Sequence, residues 1–271
     1  MSKKDEAKGT QVAVINYEAD AGAGLEGVDK DSYAIPFLGI LQPLSPAVVD
    51  GTVDGAKAGL WINSVTNELF GDSVIIIPCA FQRRWVRWGS RDAPGGGGFK
   101  GEMTTADMQA LRDRGEVKEV DGRLFFPLAD GSVNEKTSDR LTDTRNHYCL
   151  VLRSADDVIG TPMVMALTST GIKASKHLIS RIDGIKMARA DKSLFTPPSY
   201  SHMYAMSSKK KQNDKGTWWA PEVDMVGPVK APGLYAMAKA FHAQVTSGAV
   251  VVAHDSMHPE GGAAGEGKKG F

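Results

Sequence analysis

The sequence predicts a mainly β protein with helices, in an α+β arrangement. Runs rich in β-branched and aromatic residues recur between residues 72 and 226, separated by turn-forming residues. Two segments, 172–185 and 233–246, carry apolar residues at helical spacing. The chain has 271 residues, 42% of them hydrophobic and 24% charged, and it can therefore bury a large core as an ordinary globular protein does.

The longest predicted strand covers residues 72–88. It begins with a β-branched run, and Pro78 then predicts an edge or a bulge because proline cannot donate a ladder hydrogen bond. Glycines 95–98 predict a loop after this strand. Residues 104–114 predict a helix with Thr104 as its N-terminal cap.

The other predicted elements continue to residue 246. They are strands at 117–120, 123–128, 147–152, 163–168, 201–207 and 217–226, and helices at 172–185 and 233–246. Short strands with one helix between the third and the fourth are typical of an OB-type barrel, which is small and partly open. The predicted architecture is therefore an OB-like β-barrel with an inter-strand helix and a C-terminal helix.

The two ends of the chain differ in composition from its middle. Residues 1–32 contain seven acidic and four basic side chains and the run Ala-Gly-Ala-Gly, which predicts a flexible acidic N-terminal arm. Residues 251–271 are rich in glycine and charge and predict a flexible C-terminal tail. Residues 33–250 then form the OB-like nucleic-acid-binding domain, with insertions.

Composition excludes several classes of protein. The 32 basic and 32 acidic side chains give zero net charge, which argues against a histone-like polycation. Two widely spaced cysteines, Cys79 and Cys149, predict buried reduced thiols and neither a disulfide framework nor a thiolate zinc site. No apolar signal core or membrane-length apolar run is present, so we expect a cytoplasmic protein, in the host cell if the chain is phage-encoded, with no membrane partner.

The strongest local signal is an alternation of arginine and tryptophan in the long strand. The period of two puts Arg83, Trp85 and Arg87 on one face and Arg84 and Trp88 on the other. Guanidinium groups hold phosphates and an indole stacks on any base, so this pattern fits weakly selective binding of a single strand. The alternative interpretation places Trp85 or Trp88 in the core and the arginines on a solvated face.

A second basic segment begins the helix at 172–185. Ser169 and Thr170 precede it, and hydroxyl groups at a helix start cap free N–H groups at an end that also attracts phosphate. Lys173 and Lys176 lie one turn inside. An ordinary capped helix with a polar outer face is the alternative interpretation.

A third basic segment lies in a predicted hairpin loop, at Lys209, Lys210 and Lys211, and leads to Trp218 and Trp219. Loops between barrel strands commonly clamp nucleic acid, although lysines in exposed turns also serve solubility. Three basic segments in a chain of zero net charge indicate a polarised surface.

Motifs for catalysis are weak. The chain has no P-loop, nucleophile elbow, GxGxxG or HExxH pattern. His254 and His258 have metal-like spacing but no partnering Cys or Glu motif. Asp139 and Asp143 lie in a segment dense in turn formers, where we expect a loop, and a metal-dependent nuclease or recombination enzyme is the enzymatic alternative they leave open. The prediction is no catalytic residue, no cofactor and no metal.

Several runs resemble a family of bacteriophage proteins that bind single-stranded DNA. They are residues 35–42, 44–46, 59–68, the strand end Gln82-Arg83-Arg84-Trp85, and the hydroxyl-rich strand end leading into a lysine-containing helix at 167–176. The resemblance covers residues 33–250 and implies an OB-type fold and single-strand binding. Many replication single-strand binders end in an acidic tail closing with Phe. Here Lys268 and Lys269 precede Phe271, so recruitment of partners through the tail is not implied.

We therefore expect a sequence-nonspecific single-stranded DNA-binding protein of phage replication or recombination. The expected phosphate contacts are Arg83, Arg84, Arg87, Lys173, Lys176, Lys209, Lys210 and Lys211, and the expected stacking surfaces are Trp85, Trp88, Trp218 and Trp219. Replication or recombination proteins, and further copies of the chain, are the candidate protein partners. The alternative is a phage structural or assembly protein whose barrel makes protein–protein contacts.

Overall fold

The computed structural model describes residues 35–90, 92–93, 97–214 and 216–250, together with residues 23, 24, 26 and 252. Contacts divide the chain into two compact units, Met1–Tyr33 and Ala34–Phe271. The elements below belong to the second unit. The predicted N-terminal arm and C-terminal tail fall outside the described residues, apart from residues 23, 24, 26 and 252, and so do His254 and His258.

The described residues are mainly strands, with four α-helices. The strands are β1 (Leu38–Ile40), β2 (Trp61–Asn63), β3 (Leu69–Gly71), β4 (Ser73–Gly89), β5 (Gly98–Met103), β6 (Lys118–Val120), β7 (Arg123–Phe125), β8 (Arg140–Leu152), β9 (Thr161–Thr168), β10 (Met187–Ala188), β11 (Leu194–Phe195), β12 (His202–Asn213) and β13 (Gly216–Pro228). The helices are α1 (Pro46–Val49), α2 (Thr105–Asp113), α3 (Ile172–Gly184) and α4 (Pro232–Thr246). The predicted class, mainly β with helices, is confirmed.

The largest sheet is built on the antiparallel pair β4 and β8. Its order is β13-β12-β4-β8-β7-β6, with β5 beside β4 and β9 beside β8. The β4–β8 register runs from Ile75 opposite Leu152 to Trp88 opposite Arg140 and shifts between Pro78 and Ala80. The bulge predicted at Pro78 is thus confirmed. Smaller sheets join β1, β2 and β3, and β10 with β11.

Helices cover both faces of the large sheet because each face carries alternating apolar residues. On one face Val74 and Ile76 of β4 pack with Leu178 of α3. On the other face Ile77 packs with Leu234 and Phe241 of α4. Each of these fully buried side chains stabilises the fold by about 1.5–3 kcal/mol through removal of apolar area from water. A third cluster, where α2 contacts the far half of β4, contains Met108, Val117, Leu124 and Leu141, with Trp85 against it.

Two helix starts show how well local signals predict caps. At α2, Thr104 accepts from the amide of Asp107, and the Asp107 carboxylate accepts from the Thr104 amide, so the predicted cap is confirmed. At α3 the N-cap is Gly171, without a side-chain hydrogen bond. The prediction that Ser169 or Thr170 caps this helix is wrong, because both belong to a 3-10 turn that precedes it.

Two predicted loops are strands instead. Asp143 and its neighbours lie in β8, which begins at Arg140 and pairs with β4 over its whole length. Lys209, Lys210 and Lys211 lie in β12, which continues to Asn213. In both places hydrogen bonds to a neighbouring strand satisfy the backbone N–H and C=O groups. This pairing outweighs the weak preference of the local residues for a loop.

No closed barrel forms among the described strands, because β9 and β13 are not paired with each other. Strand β1 contacts both of them. Phe37, just before β1, bridges Val164 of β9. Just after β1, the side chain of Gln42 donates to the carbonyl of Trp219 and accepts from its amide, at 3.0 Å in each case.

Candidate nucleic-acid interface

The far half of β4 positions the arginine and tryptophan side chains that the sequence singled out. Arg83, Trp85 and Arg87 lie on one face, as predicted from the period of two. The Arg83 guanidinium lies 5.1 Å from the centre of the Trp85 ring. That face is the one on which α2 packs, and the indole Nε1 of Trp85 donates to Oγ1 of Thr105 at 3.3 Å. Trp85 is thus a half-buried contact to α2.

Arg83 is held by a carboxylate of β8. Its Nε and Nη2 donate to the two oxygens of Asp143 at 2.9 and 2.8 Å. These hydrogen bonds and the charge of Asp143 raise the pKa of Arg83. Arg145, which lies directly opposite Arg83, approaches the same carboxylate at 3.6 Å. Two arginines therefore share one negative charge.

Arg87 also has a carboxylate partner. It lies 2.6 Å from Asp139 and its guanidinium lies 3.9 Å from the centre of the Phe126 ring. Lys100 donates to the same carboxylate at 3.0 Å. Burial alone would raise the pKa of Asp139, but the hydrogen bonds from Lys100 and Arg87 outweigh it and hold the pKa below its usual value.

The remaining predicted residues of this strand lie on the opposite face. Arg84 forms an ion pair with Glu102 at 3.4 Å. Trp88 contacts Phe99 edge-on, with 6.1 Å between the ring centres. All three arginines of the strand thus have carboxylate partners, and both tryptophans have protein contacts.

The lysines of α3 are exposed on its first two turns. Lys173 and Lys176 lie away from the buried residues Ala174, Ser175 and Leu178. Neither lysine forms an ion pair within 4 Å with another described residue. Their positive charges are therefore open to a ligand.

The hairpin of β12 and β13 brings its lysines to the same region. Lys211 contacts Glu222 at 2.5 Å. A hydrogen bond from Lys211 lowers the pKa of Glu222, and the charges of Lys211, Lys209 and Lys173 lower it further. Three lysines, one from α3 and two from β12, thus act electrostatically on a single carboxylate, and α3 is tied to β13 by the ion pair of Arg181 with Asp224 at 3.4 Å.

The tryptophans of the hairpin are anchored and half-buried. Lys210 lies opposite Trp219, and its Nζ is 5.7 Å from the ring centre. The indole of Trp219 packs on the backbone of Gly59, where an added Cβ would lie 2.3 Å from Nε1 and where φ is +97°. Only glycine fits there without strain. The indole Nε1 of Trp218 is buried and has no hydrogen-bond partner among the described residues.

The structure therefore joins two of the three predicted basic segments. We call the joined region the helix–hairpin surface; it consists of Lys173, Lys176, Lys209, Lys211 and Trp218. Lys210 and Trp219, which lie opposite each other, are on the other face of the hairpin, because successive side chains of a strand alternate between faces. Among the described residues, no ion pair, hydrogen bond or ring contact links it to the segment from Arg83 to Trp88. The convergence of all three into one groove is not seen.

Sequence reasoning missed the partners that neutralise the arginines. The sequence predicts a loop for both Asp139 and Asp143. Asp139 does lie outside the strands, just before β8, whereas Asp143 lies within β8, where Leu141, Asp143 and Arg145 alternate with Thr142 and Thr144 as strand residues do. That alternation was the available signal. Nothing in the residues around Gln42 predicts that its side chain binds the backbone of β13.

The buried polar pair of His147 and Ser175 is structural. His147 Nε2 and Ser175 Oγ are 2.8 Å apart, and both residues are almost fully buried. Burial, with the charge of Arg145, lowers the pKa of His147 to about 4.

Within the described part of the chain, no three His, Cys, Asp or Glu residues form a group that could hold a metal ion. None of the described helices has the length and apolar character of a membrane span.

A family model described as Pam3 phage gp34-like protein matches residues 4–251. Neither the curated proteins nor the solved structures gave a match to the chain.

Proposed function

The chain belongs to the Pam3 phage gp34-like protein family, and we propose that this phage protein binds single-stranded DNA at the helix–hairpin surface, without sequence preference and without chemical change. Lysines would contact backbone phosphates, and the half-buried ring of Trp218, on the same face as Lys209 and Lys211, would contact a base. The proposal leaves out Arg84 and Arg87, whose charges are already balanced by carboxylates.

One observation carries the proposal. Lys211 pairs with Glu222 at 2.5 Å, and Lys173 and Lys209 also act on that carboxylate, so the cluster keeps a net positive charge of two. The half-buried indole of Trp218 lies directly opposite Lys211 on the same face. Lysines that repel one another are retained at some cost in stability, and an anionic ligand would relieve that repulsion. A strand of phosphates with stacking bases fits this combination of charge and ring.

The strand order supports an OB-type barrel as the framework. We propose that β4, β8, β9, β12 and β13 are its five strands, with α3 between the third and the fourth. The first strand pairs with the second and the fourth, and the fourth pairs with the fifth. In such barrels the loop between strands four and five binds oligonucleotides, and here the three lysines lie near the end of β12, in the strand that leads into that connection. The outer face of β8, however, is covered by α4.

Titration of the full chain with an oligo-dT at low salt is the direct test. We expect a change in tryptophan fluorescence and a gel shift, with weaker binding to the duplex of the same length. The absence of both signals at low salt would refute single-strand binding.

The double variant Lys173→Ala with Lys209→Ala locates the site. We expect the affinity for oligo-dT to fall at least tenfold at 50 mM salt. The slope of log K against log salt should become shallower by about 1.4, since each phosphate contact on a single strand contributes about 0.7. The matched control is Lys136→Ala with Lys239→Ala, two exposed lysines elsewhere on the described surface. Equal losses in both variants would contradict the assigned surface.

A structural or assembly role is the second candidate, favoured by one exposed apolar loop. Val158 and Ile159, at the turn between β8 and β9, are 64% and 71% exposed. Asp156 and Asp157 of the same loop line a cavity with Val226. Side-by-side exposed aliphatic residues favour a protein contact. Stoichiometric amounts of the protein in purified phage particles would support this role, and its absence from particles would argue against it.

A further inference from the structure

We propose that Phe81 is a stacking platform for one base of the bound strand, with Arg83 and Arg145 holding the adjoining phosphate. This inference rests on the proposed function and deepens it by adding a second contact on the other side of α3. Neither Phe81 nor Arg145 belongs to the basic segments that the sequence singled out.

The position of Phe81 in the sheet explains why its ring is open. On the side away from β8, strand β12 pairs with β4 only at residues 73–76, and β5 pairs with it only from Trp85 onward. Phe81 falls in the interval between these two neighbours. No described strand covers it there, and the residue is 42% exposed. It also belongs to none of the three core clusters.

One side of the ring is held by the protein. Phe81 lies opposite His147, and their ring centres are 5.0 Å apart with a tilt of 48°. His147 is itself fixed by Ser175 of α3. A ring that is fixed on one side and open on the other loses little conformational freedom when a base stacks on it, which is what a stacking platform needs.

The charge beside Phe81 suits a phosphate. Arg83 is two residues further along the same face, and Arg145 lies opposite Arg83 on β8. Both share Asp143, so one positive charge remains uncompensated. The Nε of Arg145 is buried and has no hydrogen-bond partner within the described chain. A base and its neighbouring phosphate present a flat ring and a negative charge, which are the groups that Phe81 and the two arginines would contact.

Helix α3 connects this platform to the helix–hairpin surface. Ser175 on one side of the helix reaches His147, and Lys173 on the other side acts on Glu222 of β13. Lys176 lies on the exposed side between them. The width of an α-helix with its side chains is about 10–12 Å, so a strand of a few nucleotides spans it. One continuous DNA strand can therefore contact both places.

The test compares two ligands of equal length, an oligo-dT and the same oligonucleotide with abasic sites. Phe81→Ala and Phe81→Leu should each weaken binding of the oligo-dT about tenfold, as loss of one stacked base does. Neither variant should change binding of the abasic strand, because that strand keeps its phosphates and lacks rings. Phe81→Trp should retain the affinity for oligo-dT. Because Phe81 lies outside the core clusters, the melting temperatures should stay close to that of the wild type.

The outcomes separate the two proposals. If the wild type binds neither ligand, single-strand binding itself is wrong. If the wild type binds oligo-dT and both Phe81 variants bind it equally well, the platform is wrong while the proposed function stands. Equal weakening for oligo-dT and abasic strand in the Leu variant would also overturn the platform, since a lost phosphate contact or a fold defect would then explain the effect.

Discussion

Asp143 is the residue at which stability and binding are expected to oppose each other. Its carboxylate is shared by Arg83, whose side chain is 38% exposed, and by Arg145, which is 13% exposed. In Asp143→Asn the two guanidinium groups lose their common partner. We expect the free energy of unfolding to fall by about 1–2 kcal/mol, a value discounted for the exposure of Arg83. Urea unfolding measures it.

The same variant should bind oligo-dT more tightly, because the local net charge beside Phe81 rises from one to two. Asp54→Asn, at an exposed carboxylate, is the control for a general loss of negative charge. A gain in affinity no larger than that of the control would show that phosphate does not bind at these arginines.

His147 makes the folded chain sensitive to acid. Its pKa is lowered to about 4 by burial and by Arg145, whereas an unfolded chain protonates histidine near 6.5. Between these values the unfolded state binds more protons, so stability is fully present above pH 6.5 and is lost as the pH falls towards 4. We expect this residue to account for about 3 kcal/mol of the decrease in unfolding free energy between pH 6.5 and pH 4. His147→Gln should flatten the dependence of unfolding free energy on pH over this window. A slope unchanged from the wild type would contradict the assignment.

At the scale of elements, the hairpin of β12 and β13 depends on a side chain from outside it. Gln42 both donates to and accepts from the backbone of Trp219, as a neighbouring strand would. In Gln42→Ala we expect a loss of about 1–2 kcal/mol in stability, since two hydrogen bonds to the edge of β13 disappear. The amide of Trp219 should exchange with solvent faster. Gln42→Glu is the control, because it keeps an acceptor for that amide and loses only the donor. Unchanged exchange in both variants would mean that the edge is protected in another way.

Several elements were predictable because their signals are local. The bulge beside Pro78, the capping box at Thr104 and the apolar stripes of α3 and α4 each depend on residues within one or two turns or one strand. The extent of β8 was not predictable from turn-forming residues, because pairing with β4 holds them in a ladder. The sequence predicted a loop at the lysines of β12, but they lie in a strand for the same reason, because β12 pairs with β13 there.

At the scale of the whole molecule, zero net charge hides an uneven distribution. Residues 172–211 contain nine basic and two acidic side chains, whereas residues 104–139 contain five basic and eight acidic ones. Such a distribution attracts a polyanion to one region and repels it from another. If all four lysines of the helix–hairpin surface contact phosphate, the slope of log K against log salt should reach about −2.8. Titrations from 50 to 200 mM salt measure it, and an affinity independent of salt would contradict an electrostatic surface.

By itself the sequence determined the kinds of elements and the faces of β4, since these follow from periodicities and caps within short segments. Only the tertiary structure decided which charges remain available. Asp143 reaches Arg83 across 60 residues of sequence, and Gln42 reaches Trp219 across 177. Contacts between residues so far apart in the sequence depend on strand register and helix packing. Whether a charge is neutralised depends on whether an opposite charge lies within a few ångströms of it. A pattern of residue types along the chain contains no information on those distances.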